Sequence, residues 1–120
     1  MKENNKRKTG SAKEEVAVQY LLAQGYTVLE RNYYSAAGEV DIVAREGLYL
    51  VFIEVKYRNT LRMGAPEEAV GIRKMHSIID TARYYMLKHG IPQEAPCRFD
   101  VVAILGDEIH LIKDAFTAFS

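Results

Sequence analysis

Three charged residues, Asp41, Glu54 and Lys56, are spaced so that a single β-hairpin would bring them together. Alternating apolar residues predict two antiparallel strands, joined by a tight turn at Gly47 and Leu48. In the register that buries these apolar side chains together, Asp41 lies opposite Glu54, and opposed residues project to one face with Cβ atoms about 5 Å apart. The spacing therefore predicts two carboxylates and a lysine on one small patch. The apolar side chains are Ile42, Ala44, Val51, Ile53 and Val55.

Two carboxylates that face each other repel unless a cation lies between them. A hard divalent ion such as Mg²⁺ takes oxygen ligands, keeps several waters and is commonly held by one or two carboxylates plus a substrate phosphate. Lys56, two residues after Glu54 on the same strand face, is placed to orient or deprotonate a water molecule against that phosphate. The three residues therefore predict metal-dependent phosphodiester hydrolysis, with Mg²⁺ or Mn²⁺ as the ion.

An alternative interpretation of this patch needs no metal. In it, Lys56 neutralises Glu39 and Asp41 across the strands and Glu54 points to solvent, since charged pairs are common on exposed sheet faces. The face of the charges also carries two apolar side chains, which indicates a partly covered site. These are Val43 and Phe52.

The spacing of Asp41, twelve intervening residues and Glu54-Val55-Lys56 resembles the PD-(D/E)XK motif of restriction endonucleases and archaeal Holliday-junction resolvases. The whole chain resembles the bacterial YraN family more closely, a family of uncharacterised proteins with a restriction-endonuclease-like fold. Seven ordered blocks carry this resemblance, which makes it more specific than the short motif by itself. They are EEVAVQYLLAQGY from Glu14, RNY from Arg31, GEVDIVA from Gly38, VFIEVKYR from Val51, Lys74, RFDVVAI from Arg98, and Ala115-Phe116.

The resemblance implies roles for individual residues. Asp41 and Glu54 match metal-binding acids, the main-chain carbonyl of Val55 matches a further metal ligand, and Lys56 matches the catalytic lysine. Glu14 matches a glutamate that resolvase-like members place on the first helix, where it positions water or a second ion. A DNA endonuclease, with branched or repair-related structures as candidate substrates, is the implied function. The alternative is a non-catalytic nucleic-acid-binding or adaptor module, because folds of this kind also host inactive binding domains.

Glu14 has a second interpretation as a structural residue. Ser11 and Glu14 form an S-x-x-E pattern, which predicts a capping box at the start of a first helix that ends before Gly25. At about 100° per residue, however, Glu14 falls beside the apolar stripe of this helix, close to Leu21. A glutamate that leans toward the core favours a functional role. The segment before the helix, residues 1–9, is predicted to be a flexible basic arm, and residues 10–120 are predicted to form the nuclease-like domain.

Charge is distributed unevenly along a chain whose formal net charge is zero. Segment 14–55 carries two basic and seven acidic residues, whereas segment 56–92 carries seven basic and three acidic residues. Residues 1–13 are basic as well, so basic segments flank the acidic motif on both sides. Because Lys and Arg contacts to phosphates supply most non-specific affinity, this pattern predicts a nucleic-acid partner, DNA in preference to RNA. The candidate nucleic-acid-binding residues are Arg58, Arg62, Arg73 and Lys74; ordinary solvated charges are the alternative.

The composition and element pattern predict one soluble α/β domain. The chain has 120 residues and is 48% hydrophobic, and it lacks the roughly 18 uninterrupted apolar residues of a membrane span. The single Cys97 cannot form an internal disulfide, and the first residues lack the apolar run of a secretory signal. We therefore expect a cytoplasmic protein with no membrane partner, and we leave a homodimer open.

The predicted fold is a single-domain restriction-endonuclease-like fold, in which helices flank a mixed central sheet in the order α-β-β-β-α-β-β. The first helix begins near Ser11, and the second runs from Gly71 to Gly90. The predicted strands are Tyr26–Asn32, Glu39–Arg45, Leu50–Tyr57, Arg98–Leu105 and Ile109–Lys113.

Overall fold

The computed structural model describes residues 2–58 and 70–118. These residues form α1 (Lys2–Ala23), β1 (Thr27–Ser35), β2 (Gly38–Glu46), β3 (Tyr49–Arg58), α2 (Ile72–Lys88), β4 (Cys97–Leu105) and β5 (Glu108–Phe116). The strands make one sheet in the order β1-β2-β3-β4-β5, in which β3 and β4 are parallel and the other neighbours are antiparallel. The predicted α/β fold, with its mixed sheet and its order of elements, is confirmed.

Helix α2 lies in the connection between the parallel strands β3 and β4. Parallel neighbours require a crossover connection, and a helix usually supplies it. The apolar residues of α2, among them Ile78, Ala82 and Tyr85, recur at helical spacing and pack on the sheet. The first turns of α2 reach the end of β3, since Lys74 pairs there with Glu54. The crossover therefore delivers a lysine to the predicted acidic patch.

The sheet separates two apolar cores. On one face, α2 packs on Val43 and Phe52 of the hairpin and on Phe99, Val101 and Ala103 of β4. On the other face, α1 covers the second core, which contains Ala17, Val18, Leu21, Ile42, Ala44, Val51, Ile53, Val102 and Ile104. The predicted assignment of hairpin side chains to the two faces is confirmed for each of these residues. The patch of charges thus lies at the end of a covered sheet.

The hairpin register agrees with the prediction. Glu46 pairs with Tyr49 and Ile42 with Ile53, so a two-residue turn joins β2 and β3. Gly47 in this turn has a φ of 60°, a left-handed conformation that glycine adopts without steric strain. The register fixes which side chains of the two strands share a face.

Helix α1 begins earlier than the sequence pattern predicts. It starts at Lys2, so Ser11 and Glu14 lie inside the helix, and the predicted capping box is wrong. A capping serine must precede the first helical turn, and the Lys, Arg and Glu residues of the preceding segment are good helix formers. The predicted arm, residues 1–9, falls largely within α1, while the domain boundary at residue 10 stays a prediction. Neither helix of the described residues is long and apolar enough to cross a membrane.

Candidate metal centre

Asp41 and Glu54 lie where strands β2 and β3 cease to pair through their backbones. The pairs run from Glu46 and Tyr49 as far as Ile42 and Ile53. The N–H of Val55, the next donor on that side of β3, donates to the Asp41 carboxylate over 2.8 Å. The side chain of Asp41 therefore replaces a backbone acceptor and is held directly against the Glu54–Val55 segment.

Both carboxylates are buried, which is unusual for acidic residues. Asp41 is 8% exposed and Glu54 is 4% exposed. The Oε2 atom of Glu54 is buried and, within the described residues, has no hydrogen-bond partner. A buried polar atom without a partner costs about 1–3 kcal/mol. The Nζ of Lys74 lies 3.5 Å from this oxygen atom, which therefore marks a position where positive charge is favourable.

The two carboxyl groups influence each other's protonation. Burial, as the larger cause, and repulsion from the neighbouring Glu54, which lies within hydrogen-bonding reach, together raise the pKa of Asp41 to about 7. The N–H of Val55 acts in the opposite direction on this pKa because it stabilises the carboxylate. A divalent cation between the two groups would remove the repulsion. The repulsion between the two groups therefore raises the free energy of the metal-free protein, and a bound cation would lower it.

Two further glutamates, Glu39 and Glu14, interact electrostatically with Asp41. Burial raises the pKa of Glu39, and the charge of Asp41 contributes to the rise, whereas a hydrogen bond with Tyr34 lowers it. Burial also raises the pKa of Glu14 on α1, followed by repulsion from Asp41 and Glu39. The structure therefore contains one acidic cluster, formed by Glu14, Glu39, Asp41 and Glu54. The sequence predicts that Glu14 belongs to this site. The metal-free interpretation of the sequence includes Glu39 only as a residue that Lys56 would neutralise, although Glu39 lies two positions before Asp41 on the same strand.

Lys74 is the cation that the structure sets against Glu54. Its Nζ lies 3.5 Å from Glu54 Oε2, a distance that makes an ion pair without the geometry of a hydrogen bond. The sequence predicts Lys74 only as a nucleic-acid contact. In the structure it also belongs to the acidic cluster, because its charge lowers the pKa of Glu39 as well. No local pattern points to this pairing, since twenty residues separate Glu54 from Lys74.

Lys56 follows Glu54 by two positions on β3, so both side chains project from the same strand face. Lys56 is half-buried. The ion pairs of the described residues do not include Lys56, in contrast to the metal-free interpretation, in which it neutralises Glu39 and Asp41. That interpretation also places Glu54 in solvent, and the burial of Glu54 contradicts it. Lys56 therefore lies on the same strand face as Glu54 without an ion-pair partner among residues 2–58 and 70–118.

The donor set fits a hard cation. Asp41 and Glu54 supply carboxylate oxygens, and the carbonyl of Val55 points to the same side as its N–H, toward Asp41. Among residues 2–58 and 70–118, no three His, Cys, Asp or Glu side chains are arranged to surround a metal. This donor set excludes a zinc-type site built only from side chains. It suits Mg²⁺ or Mn²⁺, which one or two carboxylates hold while water and substrate phosphate complete the shell.

The predicted nucleic-acid contacts lie in different environments. Arg58 donates to the carbonyl of Tyr57 over 2.9 Å, and its buried Nε has no hydrogen-bond partner within the described part of the chain. Arg73 is exposed in the first turn of α2, next to Lys74. Arg62 lies outside the described residues. Arg58 therefore lies at the end of β3, and Arg73 lies beside Lys74 at the start of α2.

Comparison with other proteins identifies close relatives over almost the whole chain. A UPF0102 protein of Lachnoclostridium phytofermentans is 54% identical over 115 residues, covering 96% of this chain and 98% of the relative. A UPF0102 protein of Clostridioides difficile is 42% identical and covers 94% of this chain and 99% of the relative. The UPF0102 protein YraN of Shigella flexneri is 39% identical and covers 95% and 88%. The similarity thus extends well beyond the short acidic motif.

The family model of Uncharacterised protein family UPF0102 matches residues 13–104. This range begins one residue before Glu14 and ends within β4, so it includes the acidic cluster, Lys56 and Lys74. The resemblance to YraN proteins in the sequence is thereby confirmed. The chain is a member of the UPF0102 family, to which YraN belongs.

Proposed function

We propose that this protein is a metal-dependent endonuclease that hydrolyses phosphodiester bonds in DNA. The observation that carries the proposal is the buried pair of Asp41 and Glu54, in which one oxygen atom of Glu54 has no hydrogen-bond partner among the described residues. Such a pair raises the free energy of the metal-free folded protein. The pair is therefore expected to serve a function that offsets this cost. Binding a divalent cation is the function that satisfies both acids at once.

The residues around the pair have complementary roles in this proposal. Asp41, Glu54 and the carbonyl of Val55 would hold Mg²⁺ or Mn²⁺, which would polarise the phosphate and lower the pKa of a water molecule. Lys56 accepts a proton from the attacking water or stabilises the charge that develops on the phosphate. Glu14, half-buried beside Asp41, orients the water or holds a second ion.

Lys74 connects the metal centre with the substrate. It forms an ion pair with Glu54 in the structure, and a cation held by Glu54 would replace it in this role. The amine is then free to contact a substrate phosphate, together with Arg73 next to it and Arg58 on β3. Arg62 is assigned the same role from its sequence position. A cytoplasmic location suits this function, because a chain with Cys97 as its one cysteine has no internal disulfide to maintain.

A non-catalytic nucleic-acid-binding or adaptor module is the second candidate. The ion pair between Lys74 and Glu54 favours it, since a lysine already supplies part of the cation charge that the acids require. The raised pKa of Asp41 acts in the same direction, because a protonated Asp41 repels Glu54 less. In this alternative the acidic cluster is a structural network, and the basic residues bind DNA without cleaving it.

The proposal is tested by assaying the purified protein with Mg²⁺ or Mn²⁺ against duplex, single-stranded, flap and four-way DNA. Cleavage of at least one substrate is expected, and EDTA should abolish it. Asp41→Asn, Glu54→Gln and Lys56→Met should each lower the rate by about a hundredfold or more. The matched control is Glu94→Gln, which removes an exposed carboxylate in the loop before β4 and should leave the rate unchanged. Binding without cleavage of every substrate would favour the non-catalytic module.

A further inference from the structure

A groove of about 380 Å³ lies between the β1–β2 turn and helix α2. Its volume falls within the range of about 300–1,000 Å³ that is usual for ligand sites. The turn contributes one wall, including Tyr34, and the helix contributes the other, including Asp80, Tyr84 and Lys88. These three helix residues are spaced by four, so they form one stripe along α2. The groove is separate from the donor atoms of the candidate metal centre.

The turn is fixed against the helix by polar contacts. The hydroxyl groups of Ser35 and Thr81 are hydrogen-bonded over 3.0 Å, and Ser77 donates to the carbonyl of Ala37 over 2.8 Å. Gly38 has a φ of 150°, and a Cβ atom at this position would overlap the hydroxyl of Ser77. The close approach of turn and helix therefore requires glycine here. The groove is a preformed feature of the fold, which lowers the entropic cost of binding.

Two aromatic rings of this groove are exposed to solvent. Tyr34 is 68% exposed and Tyr84 is 50% exposed. The hydrogen bond of Tyr34 with Glu39 engages its hydroxyl group, so the face of the ring is the part that a ligand can contact. Single exposed aromatic residues are common, but two that line the same groove indicate a binding surface.

The charge of α2 indicates the kind of ligand. Residues 72–88 contain four basic residues, Arg73, Lys74, Arg83 and Lys88, and one acidic residue, Asp80, which gives this helix a net charge of +3 in a neutral chain. Arg83 lies 3.8 Å from Asp80 and offsets its charge beside the groove. Lys88 lines the groove itself. Exposed aromatic rings beside a lysine that can contact phosphate are the features with which proteins bind single-stranded nucleic acids.

We propose that this groove binds unpaired bases of a DNA strand, with Tyr34 and Tyr84 as stacking surfaces and Lys88 as a phosphate contact. This inference rests on the proposed function in DNA hydrolysis and specifies its substrate class. The ten residues from Lys74 to Tyr84 correspond to about 15 Å along the helix. The other wall of the groove is closer still, because Tyr34 is hydrogen-bonded to Glu39. A strand that stacks in the groove therefore lies next to the acidic cluster. The preferred substrates are those with a single-stranded segment next to the cleaved bond.

The test measures fluorescence anisotropy of a labelled oligothymidylate and of a blunt duplex of equal length, at low salt and in EDTA. EDTA separates binding from cleavage. The wild type should bind the single strand more tightly than the duplex. Tyr34→Ala and Tyr84→Ala should each weaken single-strand binding by about 5- to 150-fold, the effect of losing one base–aromatic stack. Duplex affinity should change less than about twofold, because paired bases cannot stack on the rings.

Conservative variants separate stacking from structural damage. Tyr34→Phe and Tyr84→Phe keep the rings and should retain single-strand affinity. Leu87→Ala is the matched control, since Leu87 is an exposed apolar residue of α2 that does not line the groove. Wild-type single-strand affinity in both alanine variants, or an equal loss for duplex and single strand, would overturn this inference while leaving the nuclease proposal intact. Failure to bind any DNA would contradict both proposals. If the wild type cleaves no DNA substrate, but Tyr34→Ala and Tyr84→Ala still weaken single-strand binding, the nuclease proposal alone would be contradicted.

Discussion

The carboxylate of Asp41 accepts a hydrogen bond from the backbone N–H of Val55 over 2.8 Å. Since the N–H and C=O of one strand residue point to the same side, this bond also directs the Val55 carbonyl toward Asp41. Glu54 precedes Val55, and its carboxyl group lies within hydrogen-bonding reach of Asp41. One bond between the two strands thus gathers three oxygen donors, and the predictions below depend on that arrangement.

The effect of Glu54→Gln on stability distinguishes a metal site from a structural network. The metal-free protein carries repulsion between Asp41 and Glu54. The ion pair of Glu54 with the partly exposed Lys74 is weak in comparison, so this variant should melt at the same temperature as the wild type or higher. In a structural network, loss of Glu54 would leave Lys74 without its partner and lower stability by about 1–3 kcal/mol. Thermal melts in EDTA measure the difference, with Glu94→Gln as the control.

Addition of Mg²⁺ to the same samples provides an independent comparison. A ligand that binds the folded state raises the melting temperature. The wild type and Glu94→Gln should therefore be stabilised, whereas Asp41→Asn and Glu54→Gln should show little response. Marked destabilisation of Glu54→Gln together with no Mg²⁺ response in the wild type would contradict the metal site.

Stability of the metal-free protein should depend on pH through Asp41. The pKa of this residue is raised to about 7 in the folded protein, compared with about 3.9 in an unfolded chain. The folded state therefore binds the proton more tightly, and the resulting stabilisation is complete below about pH 4 and lost as the pH rises through about 7. Urea denaturation in EDTA should show that the free energy of unfolding falls by about 1–3 kcal/mol more for the wild type than for Asp41→Asn between about pH 5 and pH 8.

The raised pKa values of Glu39 and Glu14 contribute in the same direction, and part of each rise comes from Asp41. The comparison with Asp41→Asn therefore reports Asp41 together with its effect on these two glutamates. Saturating Mg²⁺ should reduce the pH dependence of the wild type, because the ion binds the deprotonated form. Identical pH profiles for the wild type and Asp41→Asn would show that Asp41 titrates normally.

Replacement of Lys74 should strengthen metal binding. Its Nζ lies 3.5 Å from Glu54 and competes with a cation for the same oxygen atom. The side chain is about one third exposed, so solvent reduces the interaction. We expect Lys74→Met to tighten Mg²⁺ binding about three- to tenfold in a calorimetric titration. Lys88→Met removes the same charge about 20 Å farther along α2 and should have little effect. Weaker Mg²⁺ binding by Lys74→Met would show that Lys74 supports the site instead of competing with the ion.

DNA affinity should be modest and should fall with salt. A protein of zero net charge neutralises few phosphates, and each lost phosphate contact reduces the slope of log affinity against log salt by about 0.9 for duplex DNA. Arg58→Ala and Arg73→Ala should each flatten this slope by about that amount. Lys113→Met is the control, because Lys113 pairs with Glu46 over 2.7 Å on the edge strand β5. Affinity that does not change between low and moderate salt would exclude phosphate contacts as its source.

The hairpin could be predicted from the sequence because its determinants are local. Alternating β-branched residues assign each side chain to a face, and the two-residue turn at Gly47 then fixes the register. The same logic predicted Asp41 opposite Glu54, and the structure brings their carboxyl groups together just beyond the last backbone pair of the two strands. The helical angle of Glu14 relative to Leu21 placed its side chain toward the core, and the structure sets it beside Asp41. Patterns of period 2 and 3.6 were sufficient for these residues.

The remaining features depend on tertiary packing. The pairing of Lys74 with Glu54 requires the position and rotation of α2 on the sheet, which Ile78, Ala82 and Tyr85 determine through contacts with distant strands. The predicted start of α1 was wrong, because the S-x-x-E pattern at Ser11 also fits the interior of a longer helix. The groove of Tyr34 and Tyr84 joins a turn to a helix about fifty residues later, so the sequence contains no local sign of it.

The most direct test of the central claim is calorimetric titration of the metal-free protein with Mg²⁺ and Mn²⁺ at about pH 8, where Asp41 is ionised. The wild type and Glu94→Gln should bind the ion with equal affinity, and Asp41→Asn and Glu54→Gln should each weaken binding more than about tenfold. Equal binding by all four proteins, or none by the wild type, would contradict the assignment of Asp41 and Glu54 as the metal centre.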